Sequence, residues 1–112
     1  MTSFDVVLVP FPFADLSATK RRPCLVLVSF KPSSLHEHLV LAMMTSQTGS
    51  SFPHDVAVNH LTVAGLPKPT LIRLSKVVTL DAGIVVKTLG RLHIQDRQVV
   101  KNEFTKLFKP VL

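Results

Sequence analysis

The densest positive charge in the chain is Lys20-Arg21-Arg22, which stands directly before Pro23 and an apolar segment. Pro23 cannot donate to a sheet ladder and restricts the residue before it to extended backbone, so it suits the first position of a strand and holds Arg22 on a rigid element. A guanidinium there presents a planar fork to two phosphate oxygens and stays charged. The pattern predicts stabilisation of charge that develops on a phosphate. The alternative interpretation is a solvated cluster of charges in a loop.

A second candidate is Thr45, which with Ser46 follows the apolar segment 39–44. Strand ends expose side chains on a rigid backbone, so the Thr45 hydroxyl is placed to donate a hydrogen bond to a phosphate oxygen, with Ser46 as an auxiliary binding residue. The alternative is that Thr45 and Ser46 only mark the end of the strand, because Ser and Thr favour turns. A nucleophilic hydroxyl is disfavoured, since the sequence places no histidine or lysine to activate it.

The histidines and carboxylates do not form a metal-binding pattern. The chain has 5 His and 7 Asp+Glu, but the acids are scattered singly, whereas metal-assisted phosphoryl chemistry needs several carboxylates around a hard cation. His36 and His38 follow a Pro-Ser-Ser loop signal, and zinc sites need three or four ligands. We predict neither a metal nor another cofactor, and His54 is a candidate to act near a bound nucleic acid instead.

The charge balance favours a phosphate-bearing partner. The chain carries 13 Lys+Arg against 7 Asp+Glu, a formal charge of +6 and a pI of about 10.0, and such a surplus attracts nucleic acids through counterion release. The surplus of positive charge indicates a class of partner but no reaction, and ordinary soluble proteins also carry such a surplus. Phe11, Phe13 and Phe52 fall in or beside predicted loops, where aromatic faces stack on unpaired bases. Core packing is the alternative for these rings.

Length and composition predict a single domain over residues 1–112. A chain of 112 residues holds one core on the typical scale of roughly 100 to 200 residues per domain, and 46% hydrophobic with 18% charged residues excludes disorder as the main state. The lone Cys24 cannot form an internal disulfide, and the N-terminus lacks the order of a secretory signal. No apolar run approaches the roughly 20 residues of a membrane helix. We expect a cytoplasmic protein with no membrane partner.

The elements that must position these residues are mainly short strands. Apolar or β-branched runs bounded by Pro, Ser, Asp or Gly predict them. The runs are 6–9, 24–28, 39–44 and 71–74, with weaker candidates at 55–58, 76–78 and 85–89. Because no helical pattern separates the first four runs, crossover connections are disfavoured, and a mainly β fold is predicted, as a compact antiparallel sheet or a partly closed barrel.

The end of the chain has helical periodicity. Val100, Phe104 and Leu107 share one face, which predicts an amphipathic helix over about 94–109. An acid near its start, Asp96, suits the helix dipole, and Pro110 stops the helix.

Three connecting segments, 10–20, 48–53 and 65–70, are rich in Pro, Gly or Ser and are predicted as loops. Loops of this length are often functional. Three such loops around one small barrel are expected to form a groove.

Several motifs follow one another in an informative order. The chain contains Asp5-Val6-Val7-Leu8-Val9, then Lys20-Arg21-Arg22-Pro23-Cys24-Leu25-Val26-Leu27, a strand ending in Thr45-Ser46, Gly65-Leu66-Pro67-Lys68-Pro69-Thr70-Leu71-Ile72-Arg73, Thr79-Leu80-Asp81 and Gly90-Arg91-Leu92. In this order and at this length they resemble the MazF/PemK toxins of bacterial type II toxin-antitoxin systems. The similarity runs over nearly the whole chain.

The resemblance implies an SH3-like barrel with a terminal helix, forming a homodimer that cleaves single-stranded RNA at short sequences without a metal. By motif, Arg22 corresponds to the family's catalytic arginine, Thr45 to its catalytic or phosphate-binding threonine, and Arg73 to a basic residue that some members use in RNA binding or proton transfer. The family chemistry is attack by the ribose 2′-hydroxyl on the adjacent phosphodiester, yielding a cyclic phosphate and a free 5′-hydroxyl. A cognate antitoxin is also implied, blocking a groove lined by Lys20, Arg21, Arg22 and Arg73.

Two positions depart from the family pattern. Phe4 stands where many members have Gly, and Ser75 stands where some members have an acid two residues after Arg73. Serine cannot serve as a carboxylate base at neutral pH, so either another group takes the proton, with His54 as a candidate, or cleavage is weak. Two other classes stay open, a small barrel that only binds RNA or protein and a purely structural interaction protein.

Overall fold

The computed structural model of the chain describes residues 1–10, 20–47 and 49–112. Its strands are β1 (Asp5–Pro10), β2 (Arg21–Ser33), β3 (His36–Ser46), β4 (Asp55–Ala57), β5 (Thr70–Asp81) and β6 (Lys87–Arg91), followed by helix α1 (Ile94–Phe108), with short 3₁₀ turns at Ala82–Ile84 and Lys109–Val111. The six strands form one sheet in the order β4-β5-β3-β2-β1-β6, and every neighbouring pair is antiparallel.

These elements confirm the predicted fold class, a mainly antiparallel β-structure with a C-terminal helix. The runs 71–74 and 76–78 belong to one strand, β5, because a bulge and not a turn separates them: Ala42 pairs with Val77, whereas the next residue, Met43, pairs with Arg73. Such a bulge bends its strand. Most of the predicted loop over 10–20, including Phe11 and Phe13, lies outside the described residues.

The sheet is buried on both faces, because alternate side chains of its strands enter two separate cores. The first core lies under α1 and includes Val6, Leu25, Met44 and, from the helix, Val100. The second is made by Val7, Val9, Cys24, Val26, Leu39, Leu41 and Met43. The bend in β5 lets one strand serve both cores, since Ile72 and Leu74 enter the first, while Val78 and Leu80, beyond the bulge, pack against the second.

The start of α1 is fixed to the loop that follows β4. The Nδ1 atom of His93 accepts a hydrogen bond from the Gln95 amide at 3.1 Å and caps the helix. Asp96 is 1% exposed, and its carboxylate accepts hydrogen bonds from the amides of Asn59 at 3.2 Å and His60 at 2.9 Å. Asp96 was predicted as an acid that suits the helix dipole, and it also satisfies the backbone of a neighbouring loop.

Candidate active site

A pocket of about 570 Å³ opens where β2 begins and β3 ends. Its described lining consists of Leu8, Lys20, Arg21, Arg22, Pro23, Met44, Thr45, Ser46, Gly65, Leu66, Pro67, Lys68, Thr70, Lys87 and Leu89. Five of the residues predicted from the sequence therefore line one cavity: Arg22 and Thr45, with Lys20, Arg21 and Ser46.

The register of the sheet explains why Arg22 and Thr45 meet. Strands β2 and β3 pair Cys24 with Met43 and Leu25 with Ala42, and the same register continued by two residues sets Arg22 opposite Thr45. Directly opposed residues in an antiparallel pair have Cβ atoms about 4.5–5.5 Å apart on one face of the sheet. Arg22 also pairs with Val9 of β1, so rigid strands flank its backbone. Two residues that are 23 positions apart in the chain are thus brought to one end of the sheet.

The electrostatics of the pocket follow from where the carboxylates lie. The lining contains five cationic side chains, Lys20, Arg21, Arg22, Lys68 and Lys87, and among its described residues no carboxylate. The acidic residues of the described chain are paired elsewhere: Asp5 with Arg91, Glu37 with the N-terminal ammonium, Asp55 with Arg73, Asp81 with His36, Asp96 with His60, and Glu103 with His54 and Lys106. The five cations of the lining therefore have no acidic partner among the described residues, and the cavity favours an anion.

Cys24 lies beside this cavity and plays no nucleophilic part. The thiol is fully buried in the second core, and this burial raises its pKa to about 12. The reactive form of a cysteine is the thiolate, so Cys24 packs the strand that carries Arg22 and does not react.

The wall of the pocket opposite β2 depends on a glycine. Gly65 has a φ of 72°, in the left-handed region, and a Cβ at this position would collide with the carbonyl group of Leu89 in β6. Only glycine therefore allows the segment 65–69 to approach β6 this closely. The approach places Leu66 and Lys68 along the cavity.

Arg73 lies outside the pocket lining. Its guanidinium donates hydrogen bonds to both carboxylate oxygens of Asp55, at 3.0 and 3.2 Å, and lies 3.7 Å from the centroid of the Phe52 ring. The side chains of Arg73 and Asp55 are 9% and 5% exposed. This arginine joins β4 to β5, and its predicted role in RNA binding or proton transfer stays a prediction.

His54 also lies outside the lining. Its Nδ1 atom is 3.1 Å from Oε2 of Glu103 in α1, and this hydrogen bond lowers the pKa of the Glu103 carboxyl. His54 has a φ of 69°, which is uncommon for a residue with a side chain. The contact ties the start of β4 to the helix, and the structure does not bring His54 to Arg22.

Phe4 and Ser75, the two departures from the family pattern, also lie outside the pocket lining. Ser75 is exposed in the bulge of β5 and does not line the pocket. Phe4 has a φ of 73°, which explains why glycine suits this position, since the left-handed conformation costs other residues roughly 1–2 kcal/mol. Its ring packs against the first core, with Arg97 and Lys101 5.6 and 5.7 Å from its centroid.

Sequence reasoning missed two cations of the cavity. Lys68 lies in the predicted loop 65–70, where nothing in its spacing marked it as a candidate. Lys87 lies in the weakly predicted strand 85–89. Only the pairing of β6 with β1, in which Lys87 is the partner of Leu8, brings Lys87 to the site. No signal local to the sequence could have shown this, because the two residues are 79 positions apart.

Across 1–10, 20–47 and 49–112, no three His, Cys, Asp or Glu side chains are grouped so that they could hold a metal ion. In the same residues, no helix is long and apolar enough to cross a membrane.

Comparisons with known proteins agree with this architecture. The toxin MazF-mt6 of Mycobacterium tuberculosis is 16% identical, with a TM-score of 0.69 over 94% of this chain and 96% of that one. An endoribonuclease in complex with its cognate antitoxin, from a mycobacterial species, is 15% identical, with a TM-score of 0.71 over 97% and 95%. A MazE-MazF structure from Deinococcus radiodurans is 18% identical, with a TM-score of 0.69 over 96% and 94%. At such identities the matches establish a MazF-like fold.

The search of curated proteins gave no significant match. A family model does match the sequence, over residues 2–108, and it describes the PemK-like, MazF-like toxins of type II toxin-antitoxin systems. Because the match spans nearly the whole chain and the fold agrees with it, this protein belongs to the PemK-like and MazF-like toxin family.

Proposed function

We propose that this toxin is a sequence-selective endoribonuclease that cleaves single-stranded RNA without a metal. The observation that carries the proposal is the placement of Arg22 and Thr45 in one cationic cavity whose described lining holds no carboxylate. A phosphodiester is the anion that such a cavity favours, and an arginine with a hydroxyl donor suits the charge that grows on it during cleavage. Structural relatives described as endoribonucleases support RNA cleavage as the activity.

The proposed chemistry is the one that the resemblance to the MazF/PemK family implies. The ribose 2′-hydroxyl loses its proton as its oxygen attacks the adjacent phosphorus, the bond from phosphorus to the 5′-oxygen breaks, and that oxygen gains a proton, so the products are a 2′,3′-cyclic phosphate and a 5′-hydroxyl. Arg22 binds the non-bridging oxygens, on which negative charge increases as the attack proceeds, and Thr45 donates a hydrogen bond to the same phosphate. Both groups act more strongly on the transition state than on the ground state, so their effect is on rate.

Lys20, Arg21 and Ser46 complete the binding surface in this proposal. The two exposed cations attract and position the RNA backbone, without choosing its sequence. The lining offers no carboxylate and no imidazole among its described residues, and hard cations and zinc both depend on such ligands. That donor set is the reason to propose a mechanism that uses no metal.

A cognate antitoxin is proposed as the protein partner, and a homodimer as the working assembly. Relatives crystallised with MazE or with a cognate antitoxin support the first. Because the cavity is cationic, the blocking segment is expected to be acidic and partly apolar. The homodimer is what the resemblance to the MazF/PemK family implies, and closed two-fold dimers are the commonest homo-oligomers.

The experiment that tests the function is incubation of the purified chain with a long unstructured RNA, with and without excess EDTA. We expect cuts at a short recurrent sequence in both samples, with a 5′-hydroxyl and a cyclic phosphate at the new ends. Loss of cutting in EDTA with recovery in magnesium would contradict the mechanism. Salt-dependent binding without any cutting would favour the second candidate, a non-catalytic RNA-binding module of the same fold.

A further inference from the structure

The pocket has a second half that the proposed chemistry does not use. Leu8 of β1 pairs with Pro23 on one side and with Lys87 on the other, so these three side chains form a row on one face of the sheet. Beside the row, Leu89 also lines the cavity and is partly exposed, as Leu8 and Pro23 are, whereas Met44 and Leu66 are buried in the first core. This half is an apolar floor with Lys87 at the end of the row and Lys68 on the neighbouring segment 65–69.

An apolar surface is not a favourable binding site for a phosphate. Burying apolar side chains against a charged group gives no favourable contact and costs hydration of the charge. The flat face of a nucleobase, in contrast, packs well against apolar side chains, as in pockets that hold unstacked bases. The whole cavity, at about 570 Å³, falls in the roughly 300–1,000 Å³ range of pockets for small organic ligands.

Lys87 is the hydrogen-bond donor that the row itself carries. It is exposed at the start of the edge strand β6, and it takes part in none of the ion pairs of the described residues. An ammonium group only donates hydrogen bonds. Its flexible stem can lie along the apolar floor while its charged end reaches the edge of a base.

The distance across the sheet separates this lysine from the phosphate position. β1 lies between β2 and β6, and neighbouring strands are about 4.8 Å apart, so the backbones that carry Arg22 and Lys87 are roughly 10 Å apart. Arg22 immediately precedes Pro23 in β2, so its side chain leaves the opposite face of the sheet from the row, and both border the cavity where the strands end. A nucleotide whose phosphate is at Arg22 can extend its base over the floor towards Lys87.

We propose that the apolar half of the pocket holds the nucleobase next to the scissile phosphate and that Lys87 determines which base is accepted there. Because lysine offers only donors, it favours guanine or uracil, which present carbonyl oxygens, over adenine, whose ring-nitrogen acceptors N1 and N7 stand beside an amino donor. The inference rests on the proposed function, since it names a specificity residue of that same site.

The test uses the full chain and RNA oligonucleotides built on its own cleavage site. The site is first read from the ends of a digested long RNA, and the two positions that flank the cut are then varied through all four bases. Single-turnover rates are measured for the natural sequence and for Lys87→Met, which keeps an apolar stem and removes the donor. Lys31→Met, an exposed lysine of β2 outside the pocket lining, is the matched control.

We expect the natural chain and the Lys31 control to cut guanine or uracil at one flanking position at least about fivefold faster than adenine, the lower end of the effect of one base contact. Lys87→Met should lose that preference while still cutting. A uniform slowing across all four bases with a reduced salt slope would mean that Lys87 contacts a phosphate, and an unchanged preference would remove it from the RNA path. Either result overturns the inference and leaves cleavage intact, whereas absence of cleavage by the natural chain overturns the proposed function instead.

Discussion

Two arginines of the same sheet have opposite surroundings. Arg73 of β5 is buried, with both carboxylate oxygens of Asp55 within 3.2 Å and the Phe52 ring against its face. Arg22, at the start of β2, is partly exposed in a cavity whose described lining holds four further cations and no carboxylate. The same side chain thus contributes to the fold in one place and is available to an anion in the other.

The comparison shows how the chain separates stability from chemistry. A buried arginine paired with an acid must exchange a desolvated ion pair before it can bind a phosphate, so Arg73 contributes to stability in the free chain, and its role in RNA binding stays a prediction. An arginine surrounded by other cations gains when an anion binds. Residue type is therefore a poor guide to function in this protein, and the position of the nearest carboxylate is a better one.

The largest expected effect is on stability, at Arg73. Arg73→Met should lower the free energy of unfolding by about 3 kcal/mol or more, because it leaves the Asp55 carboxylate buried without its partner. In a chain of this size that loss corresponds to a fall of roughly 10 °C in Tm. Urea and thermal unfolding followed by circular dichroism measure it.

The double variant Arg73→Met with Asp55→Leu is the control for that prediction. With both charges gone, most of the lost stability should return, since an apolar pair of similar volume often replaces a buried ion pair at no cost. Arg22→Met, in contrast, should leave Tm nearly unchanged. If Arg22→Met proved as destabilising as Arg73→Met, the distinction between the two arginines would fail.

Thr45→Val should lower the single-turnover cleavage rate by about tenfold while RNA affinity changes little. The variant keeps the shape of the side chain and removes one neutral hydrogen-bond donor, which contributes about 1–1.5 kcal/mol. Thr79→Val, an exposed threonine of β5 away from the cavity, is the matched control. Equal rates for the two variants would remove Thr45 from the reaction.

Lys20→Ala should weaken RNA binding without changing the rate at saturating enzyme. If Lys20 contacts one phosphate of single-stranded RNA, the slope of log affinity against log salt should become shallower by about 0.7. Fluorescence binding titrations at several salt concentrations measure the slope. Lys109→Ala, outside the pocket lining, should leave the slope nearly as it is, and a larger change there than at Lys20 would place the RNA on another surface.

The smallest expected effect concerns the pair of His54 and Glu103. The hydrogen bond from His54 lowers the folded-state pKa of Glu103, so the charged carboxylate stabilises the fold above its ordinary pKa, and this contribution is lost as the pH falls below about 4.5. Glu103→Gln should therefore unfold at a slightly lower temperature than the natural chain at pH 6, and the difference should close towards pH 3. A difference that grew on acidification would contradict the assignment.

The sequence predicted the strands and the helix better than it predicted which residues the fold brings together. Apolar runs and the spacing through Val100 and Phe104 indicated the strands and the helix, because those patterns are set by burial along one element. Arg22 and Thr45 were candidates because each stands at an end of its own strand, and the structure brings both to one cavity. Lys87 was not found, since its place depends on the pairing of β6 with β1.

The partners of Arg73 and His54 could not be predicted from the sequence either. Both were candidates because of their residue types and motif positions, and neither sequence pattern indicated that Asp55 and Glu103 would be their partners. Asp55 stands 18 positions from Arg73, and Glu103 stands 49 from His54. Long-range partners decide whether a charge is free, and they are fixed only by the folded sheet and its helix.

The central claim is that Arg22 acts on the charge that develops during cleavage. The direct measurement is single-turnover cleavage of RNA at saturating enzyme by Arg22→Ala and by the natural chain, with affinity measured separately on an RNA that carries a 2′-deoxyribose at the cut, and with folding checked by circular dichroism. We predict a rate about 100- to 1,000-fold lower, the usual cost of one such donor, with a much smaller loss of affinity. A folded Arg22→Ala chain that cuts at the natural rate would contradict the account.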